Sequence, residues 1–214
     1  MNQLIIVGAG GLGREVLAIA ADAFRGGDAI SIKGFVDTDA ASLAGKGIDL
    51  PILGAEDSCE IAPDDRFVMA IGDPVARERI ARVLEARGAK FTSVIHPSAI
   101  VVGDAELADG CVLAQNTFVA IGAKLASHVF LNTYASVGHD SLIGRSCVLA
   151  PGAVVNGEAV LETSVLVGSN AVVTAGRKLG ERARLGAGSV AYRNIASDCL
   201  AIGNPAKAKK IPHQ

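Results

Sequence analysis

An aliphatic residue recurs at every sixth position between Ile95 and Leu185, without a single insertion. The members of this series are Ile95, Val101, Leu107, Leu113, Val119, Leu125, Leu131, Val137, Ile143, Leu149, Val155, Leu161, Val167, Val173, Leu179 and Leu185. A period of six fits neither an amphipathic helix, with its period of about 3.6 residues, nor a strand, with its period of about two. It is typical of a parallel β-helix made of hexapeptide repeats.

The residue four places after each aliphatic position is small in most repeats, as in Ala99, Cys111, Ala135 and Ser189. The exceptions are Val129, Val165 and Arg177. We therefore predict that each hexad forms one side of a triangular prism, with the aliphatic residue pointing inward and the small residue at the corner. Three hexads make one coil, and coils stack about 4.8 Å apart, so the repeats predict about five coils over roughly 25 Å.

Composition limits the classes of function. The chain has 214 residues and a formal net charge of −2, which argues against nucleic acid as the main partner. No apolar run reaches membrane-spanning length, and the short run Leu4–Val7 is not a signal peptide. The cysteines form no C-x-x-C pair, and Cys111 and Cys147 should lie two coils apart, about 10 Å, too far for a disulfide. We expect a cytoplasmic protein with reduced thiols.

The N-terminal segment has the pattern of a nucleotide-binding unit. A strand at Leu4–Val7 runs into glycines with G-x-G-x-x-G spacing at Gly8, Gly10 and Gly13, and a helix follows. Such a turn brings backbone N–H groups to a phosphate at the helix N-terminus. A second strand at 31–36 ends at Asp37, where an acid often binds the sugar of a nucleotide. The alternative is a glycine turn with an aspartate cap and no ligand.

The rest of this segment predicts a short strand at 51–53, a strand at 67–71, and a helix that begins at Pro74 and ends at Gly88. The helix arginines are interpreted as a solvated face rather than a binding patch; they are Arg77, Arg79, Arg82 and Arg87. About 90 residues make half of a dinucleotide fold, so a mononucleotide or nucleotide-sugar is a better ligand than NAD. The predicted divisions are a Rossmann-like α/β subdomain at 1–92, an all-β parallel β-helix at 93–191 and a C-terminal tail at 192–214.

One histidine stands out as a candidate for catalysis. His139 is predicted to point outward near a corner of the prism, beside Asp140. Imidazole titrates near neutral pH and can remove a proton from an amine or hydroxyl. The alternative is an ordinary surface histidine. The other histidines are His96, His128 and His213. Because His96, His128 and His139 are not spaced by multiples of one coil, a metal site within one chain is not expected, while a site shared between chains stays open.

The whole chain resembles the sialic-acid and nucleotide-sugar acetyltransferases, which combine a Rossmann-like N-terminal subdomain with a left-handed β-helix. It is similar to the bacterial UDP-4-amino-sugar acetyltransferases of bacillosamine synthesis and to perosamine N-acetyltransferases. The motifs that carry this resemblance are Ile6-Val7-Gly8-Ala9-Gly10-Gly11, Gly34-Phe35-Val36-Asp37, Ala70-Ile71-Gly72-Asp73, His96-Pro97-Ser98-Ala99, Asn132-Thr133, His139-Asp140, Pro151-Gly152-Ala153 and Gly203-Asn204-Pro205-Ala206-Lys207.

The resemblance implies an acetyl-CoA-dependent N-acetyltransferase that acts on a nucleotide-linked 4-amino-sugar as a homotrimer, with each site between two prisms. His139 would be the general base, Asp140 would tune it, and Asn132 would hold the sugar. The residues implied for the nucleotide are Gly10, Gly11, Leu12, Asp37, Thr38 and Gly72. The residues implied for acetyl-CoA are Val148, Gly157, Ser169, Ala187 and Lys207.

Two positions depart from the family pattern. Many members carry histidine where this chain has Leu12, which changes the nucleotide contacts, and many carry a second histidine at the position of Val148, which contacts acetyl-CoA. Two rival hypotheses remain open. The same base would serve O-acetylation of sialic acid or a related sugar, and a non-catalytic hexapeptide scaffold would bind a nucleotide or a protein partner. Cys111 and Cys147 are predicted to be inert inward-facing residues, so no acyl-cysteine is expected.

Overall fold

The computed structural model describes residues 2–25 and 30–211. The chain opens with an α/β unit of three strands and two helices. They are β1 (Asn2–Val7), α1 (Gly11–Ala23), β2 (Ile30–Val36), β3 (Asp65–Met69) and α2 (Pro74–Ala86). The strands form a parallel sheet in the order β2-β1-β3, so the loops that follow all three strands meet at one edge. The Rossmann-like prediction is confirmed, although the segment 51–53 makes only a single bridge, between Ile52 and Phe35.

A triangular β-helix follows, made of two-residue strands that pair in parallel with a register of one coil. The first face contains Val94–Ile95, Val112–Leu113, Phe130–Leu131, Val148–Leu149, Leu166–Val167 and Arg184–Leu185. The second face contains Ile100–Val101, Phe118–Val119, Ser136–Val137, Val154–Val155, Val172–Val173 and Val190–Ala191. The third face contains Glu106–Leu107, Lys124–Leu125, Leu142–Ile143, Val160–Leu161 and Lys178–Leu179. The predicted hexad architecture is confirmed, and its left hand stays a prediction of the family resemblance.

The six-residue series forms the core of the prism. Leu113 and each later member of the series is at most 2% exposed, because coils on both sides cover it. Ile95 and Val101, in the first coil, are each 39% exposed because no coil precedes them. Burial of one such side chain contributes about 1.5–3 kcal/mol to folding.

The corners of the prism show a second six-residue repeat, a backbone conformation with positive φ. Every sixth residue from Gly110 to Gly188 has a positive φ, between 54° and 78°. We name the corners after the faces that they join. The first corner joins the first face to the second, the second corner joins the second to the third, and the third corner joins the third to the first. Residues eighteen apart therefore stack in one column along the same corner.

The α/β unit packs on the first face of the prism. Val94, Val112, Phe130 and Val148 lie in one hydrophobic cluster with residues of β1, β2, β3 and α1. Helix α1 lies along the first corner, where its residues share a cleft with Asn132. Helix α2 lies along the third corner, where Arg77 meets His128. The second corner lies away from the α/β unit, and there the side chains of His139 and Asp140 are exposed.

The interpretation of the α2 arginines as a solvated face is wrong for Arg77, which is 0% exposed. Its guanidinium donates to the carbonyl oxygens of His128 and Ile71 and lies 5.7 Å from the Phe130 ring centroid. A helix that docks on another layer must bury one side, and Arg77 faces that layer. The other three arginines are exposed and contact neighbouring groups; they are Arg79, Arg82 and Arg87.

A hairpin closes the structure. Strand Cys199–Gly203 joins the sheet of the first face beside Arg184–Leu185, and Ala206–Lys210 pairs with it in antiparallel fashion. The Asn204–Pro205 peptide bond in the turn is cis. This hairpin places the predicted Lys207 beyond the last coil. None of the helices in the described ranges has the length and apolar character needed to cross a bilayer.

Candidate active site

His139 and Asp140 lie together at the second corner. The Asp140 Oδ2 atom accepts from His139 Nδ1 across 2.9 Å, and the two side chains are 58% and 66% exposed. In a neutral imidazole, an Nδ1–H that donates to a carboxylate leaves the lone pair on Nε2, so Nε2 is the atom that would accept a proton. The backbone on either side is fixed by neighbouring coils, since Asp140 N–H donates to Ile121 O and Glu158 N–H donates to His139 O.

Gly157 lies one coil after His139 in the same column, and its missing side chain shapes the site. A Cβ at position 157 would lie 2.4 Å from His139 Nε2. No real Cβ approaches a ring nitrogen so closely, so only glycine allows the imidazole its present place. The glycine also leaves the space beside the basic nitrogen open. Any side chain at this position would displace the imidazole or fill the place of a reacting group.

The left-handed conformation of Asp140, with φ of 56°, explains how its carboxylate reaches the imidazole. A Cβ on Gly122, one coil earlier, would lie 2.4 Å from Asp140 Oδ1, so the carboxylate lies against the bare backbone of Gly122. The pair therefore uses three coils: Gly122 supports Asp140, and Gly157 makes room for His139. Gly122 and Asp140 are eighteen residues apart, as are His139 and Gly157, so the coil length predicts that each pair stacks. The sequence analysis nevertheless named neither Gly122 nor the role of Gly157 beside the base.

The candidate nucleotide residues meet at the carboxyl edge of the α/β sheet. Gly10 and Gly11 begin helix α1, and Gly10 caps it without any side-chain hydrogen bond. Leu12 lies beside Gly72 in the loop after β3, because a Cβ on Gly72 would be 3.8 Å from Leu12 Cδ2. Ligands of open α/β sheets bind at this edge, where strand order reverses. The structure thus brings these four residues of the sequence prediction together.

Asp37 has a structural task in this edge. Its Oδ2 accepts from Ala9 N–H at 2.7 Å and its Oδ1 from Asp39 N–H at 2.9 Å. The carboxylate therefore connects the end of β2 to the glycine turn. This contact is the one expected for the alternative given in the sequence analysis, an aspartate cap on a glycine turn without a ligand. Each oxygen still has a second lone pair for a ligand. Asp37 and Thr38 also line a cleft of about 130 Å³ with Arg79.

Asn132 faces a different cleft, between α1 and the first corner. This cleft of about 240 Å³ is lined by Glu15, Ala18, Ile19, Gln115, Asn132, Thr133 and Pro151. Asn132 Oδ1 accepts from Thr133 N–H at 2.7 Å, which leaves the side-chain NH₂ group to donate to a ligand. Glu15 and Gln115 were not predicted, and only the packing of α1 against the prism identifies them.

The candidates for the cofactor separate into two corners. Gly157 is at the second corner, whereas Ser169 and Ala187 stack in one column of the first corner, where Gly188 N–H donates to Ser169 O. The second face lies between the two groups, so one chain does not gather them around a single ligand. Residue numbers alone predict this separation. Ser169 and Ala187 are multiples of eighteen residues from Thr133, at the first corner, and not from His139, at the second.

Val148 and Lys207 have opposite environments. Val148 is 4% exposed and belongs to the cluster that joins the α/β unit to the first face, so within this chain its side chain leaves no surface for a cofactor. Lys207 is exposed and lines a cleft of about 630 Å³ with Tyr192, Arg193 and residues of the hairpin turn. Tyr192 and Arg193, which the sequence interpretation passed over, add an aromatic ring and a second cation there.

The remaining titratable groups have structural positions. Burial raises the pKa of the Cys111 thiol to about 11 and that of the Cys147 thiol to about 12, so neither is a nucleophile. All four cysteines are free. His96 contacts Ser98 and Asp22. Within residues 2–25 and 30–211, no three or more His, Cys, Asp and Glu side chains converge as a metal site would require, and His213 lies outside these ranges.

Comparison with known proteins bears on the α/β unit first. Residues 3–84 match the PglD N-terminal domain. The matched residues form the α/β unit whose glycine turn, Asp37 and Gly72 make up the edge described above. Solved structures extend the likeness to the β-helix and the hairpin.

The chain is similar over nearly its whole length to three solved proteins. WeeI from Acinetobacter baumannii AYE is 26% identical with a TM-score of 0.85, over 98% of this chain and 100% of that one. The acetyltransferase domain of PglB from Neisseria gonorrhoeae FA1090, in complex with acetyl coenzyme A, is 29% identical with a TM-score of 0.83, over 97% and 99%. PerB from Caulobacter crescentus, in complex with CoA and GDP-perosamine, is 27% identical with a TM-score of 0.84, over 98% of each chain. The predicted resemblance to the sugar acetyltransferases is confirmed.

Proposed function

We propose that this protein transfers the acetyl group of acetyl-CoA to the amino group of a nucleotide-linked 4-amino-sugar. The observation that carries the proposal is the His139–Asp140 pair, with the Nε2 side kept open by Gly157. The likeness to a domain in complex with acetyl coenzyme A and to PerB in complex with CoA and GDP-perosamine supports the two substrate classes.

The chemistry is direct transfer within one complex of enzyme, acetyl-CoA and acceptor. The amine nitrogen attacks the thioester carbonyl while His139 Nε2 takes the amine proton. The C–S bond then breaks, and the departing thiolate of CoA takes the proton from His139. Asp140 holds the imidazole in the reactive tautomer and offsets the positive charge that the ring carries between the two proton transfers. Backbone N–H groups of the corner steady the oxyanion.

The site is shared between copies of the chain, in a homotrimer. In a single chain the α/β unit covers the first face, whereas His139 lies at the second corner, across the prism. The base of one chain therefore serves an acceptor held by the α/β unit of its neighbour. This arrangement also reunites the cofactor candidates, because the second corner of one prism, with Gly157, would face the first corner of the next, with Ser169 and Ala187.

The bare faces are suited to such packing. Ile100 and Phe118 on the second face are 56% and 40% exposed, and Leu142 on the third face is 46% exposed. Val154 and Val172 continue the apolar second face, and Val160 continues the third. Only Ser136 interrupts the apolar outward positions of the second face, whereas on the third face Leu142 and Val160 lie between Lys124 and Lys178. An exposed apolar patch with a polar rim is characteristic of an interface.

Each ligand has a place in this arrangement. The nucleotide lies at the carboxyl edge of the α/β sheet, with its phosphates at the N-terminus of α1 beside Gly10 and Gly11. Its sugar extends along the α1 cleft to Asn132. Acetyl-CoA lies along the groove between two prisms, with its phosphates near Lys207 and Arg193 and its adenine near the Tyr192 ring.

The test is acetyl transfer followed by release of the CoA thiol. The acceptors are UDP-, GDP- and dTDP-linked 4-amino-sugars and free sialic acid, each incubated with acetyl-CoA and the full chain. Turnover on one amino-sugar nucleotide is the expected result. Turnover on sialic acid alone would replace N-acetylation by O-acetylation, and binding of the nucleotides with no thiol release from any acceptor would favour the scaffold hypothesis.

A further inference from the structure

Tyr134 is a conformational outlier at the first corner. Its φ is 61°, in the left-handed region that bulky side chains rarely occupy. The other residues in this six-residue series are Gly, Asn, Asp, Ser, Glu, His and Arg. A ring of this size at such a φ costs stability, and strain of this kind persists where a site uses the residue.

The fold does not use the ring of Tyr134. Its side chain is 68% exposed, and among the described residues its hydroxyl has no hydrogen-bond partner and its ring no aromatic neighbour. Two other large residues of the series are held in place, because His128 contacts Glu85 and Arg182 contacts Asp198. Among the residues that the structure describes, the Tyr134 side chain makes no hydrogen bond and no ring contact that would offset the cost of its backbone conformation.

The residue one coil earlier at the same corner explains why the Tyr134 ring is exposed. His128, Asp140 and Asn170 each lie against a glycine one coil earlier, at Gly110, Gly122 and Gly152. The residue one coil before Tyr134 is Asn116, which is itself exposed. Tyr134 has no bare backbone to lie on, so its ring projects from the corner.

The position of the ring identifies what it would meet. Tyr134 follows Asn132 and Thr133, which line the α1 cleft, and its own N–H donates to the carbonyl oxygen of Gln115, another lining residue, at 3.0 Å. The nucleotide edge lies at the start of α1, before this cleft, and in the shared site the partner's base lies beyond it. The group between the nucleotide and the reacting amine is the sugar.

We propose that Tyr134 is a specificity-determining residue whose ring packs against the apolar face of the acceptor sugar. A tyrosine ring offers a rigid apolar surface at a small cost in side-chain entropy. The proposal rests on the acetyl-transfer function proposed above and adds a contact to its acceptor. In this proposal the Tyr134 ring contacts the acceptor sugar, and it contacts neither the nucleotide nor acetyl-CoA.

The experiment compares Tyr134→Gly and Tyr134→Phe with the wild-type chain, using the acceptor that the thiol-release assay identifies. Glycine removes the ring and the strain together, so the KM for the acceptor should rise about tenfold, which corresponds to about 1.4 kcal/mol. The melting temperature should rise by about 2–4 °C, because a strained backbone position is relieved. Tyr134→Phe keeps the ring, so its KM should stay within about twofold of wild type.

Asn170→Gly is the matched control, because Asn170 is exposed, has a φ of 54° and lies in the same column two coils later. It should leave the KM for the acceptor unchanged. An unchanged acceptor KM in Tyr134→Gly with an active wild type would overturn the role of Tyr134 alone, and so would an equal loss in Tyr134→Phe. A wild-type chain that transfers acetyl to no amino-sugar nucleotide would overturn the proposed function, and the Tyr134 proposal with it.

Discussion

At the scale of single residues, the candidate chemistry depends on the missing side chain of Gly157 as much as on His139. A methyl group at position 157 would lie 2.4 Å from Nε2 and would move the imidazole. Gly157 does not have a positive φ, so alanine is allowed by the backbone there. The effect of such a substitution would therefore be on the geometry of the site, with little effect on folding.

We predict that Gly157→Ala lowers kcat about 10²-fold, the cost typical of a misplacement of about 1 Å in a reacting group. The melting temperature should change little. The decisive comparison is with His139→Ala and with the double variant. If Gly157→Ala acts through the imidazole, it should cause no further loss once His139 is absent, whereas fully additive losses would contradict this account.

The role proposed for Asp140 is tested separately. Gly157 affects where the imidazole lies, whereas Asp140 affects which ring nitrogen carries the proton. Asp140→Asn keeps the size of the side chain but removes the charge that favours Nδ1–H, so the wrong nitrogen can carry the proton. We expect kcat to fall about 10²-fold with an unchanged KM for acetyl-CoA, at the lower end of the range found for general acid–base groups. Steady-state kinetics would measure both constants. Wild-type kcat in Asp140→Asn would mean that the hydrogen bond has no role in transfer.

At the scale of elements, helix α2 is joined to the third corner by a cluster of buried and half-buried polar groups. His128 is 1% exposed, and its Nε2 lies 2.9 Å from Glu85 Oε1. Arg145 also contacts Glu85, at 3.0 Å, and Ser146 Oγ donates to Glu78 at 2.7 Å. This polar cluster sets the position of the α/β unit on the prism.

Acid should weaken this cluster. Burial, the largest cause, lowers the pKa of His128 below its ordinary value of 6.5, and the charges of Arg145 and Arg77 lower it further against the opposing effect of Glu85. The unfolded chain then takes up the proton first, so stability falls as pH drops below about 6.5, by at most about 1.4 kcal/mol per pH unit for one group. Burial alone would raise the pKa of Glu85, but hydrogen bonds from His128 and Arg145 lower it, so its contribution is lost below about pH 4.5.

The measurement is chemical denaturation between pH 7.5 and 5.5 for wild type and His128→Asn, since asparagine tolerates the left-handed φ of 63° at this position. Glu85, Arg145 and Arg77 are the charged groups that act on His128, and they stay in both proteins. The free energy of unfolding of the variant should fall less steeply with acid. Equal slopes would show that His128 does not bind the proton on unfolding.

Much of this element-level structure could be predicted from the sequence and some could not. The six-residue repeat and the eighteen-residue coil follow directly from residue numbers. The sequence alone therefore predicts the prism and the stacking of Gly157 on His139. The Arg77–His128 contact joins residues 51 positions apart across two domains, and no periodicity links them. For the same reason the sequence did not reveal that the α/β unit covers Val148.

At the scale of the whole molecule, the edge proposed to bind the nucleotide and the proposed base, His139, lie on different sides of one prism. The proposed transfer therefore requires a second copy of the chain. The first face is occupied by the chain's own α/β unit, which leaves the second and third faces for packing between copies. Exposed apolar residues on those faces, such as Phe118 and Leu142, would be buried by that packing.

We predict that Leu142→Glu prevents formation of the proposed trimer and abolishes transfer. The side chain is 46% exposed in one chain, so the charge should disturb folding of the monomer little, whereas an unpaired carboxylate in an apolar interface is costly. Val75→Glu is the matched control, since Val75 is 39% exposed on α2, away from the bare faces. Sedimentation and the thiol-release assay would be run on both. An active, fully trimeric Leu142→Glu would contradict the shared site.

The central claim is that His139 removes the proton from an amino-sugar nucleotide during direct acetyl transfer. The most direct measurement is mass spectrometry of the acceptor after incubation with acetyl-CoA and either wild-type protein or His139→Ala, with binding of the acceptor measured in parallel. The account predicts an N-acetylated nucleotide-sugar from wild type, a loss of rate of about 10²–10⁴-fold in the variant, and unchanged binding of the acceptor. Acetylation by His139→Ala at the wild-type rate would contradict it.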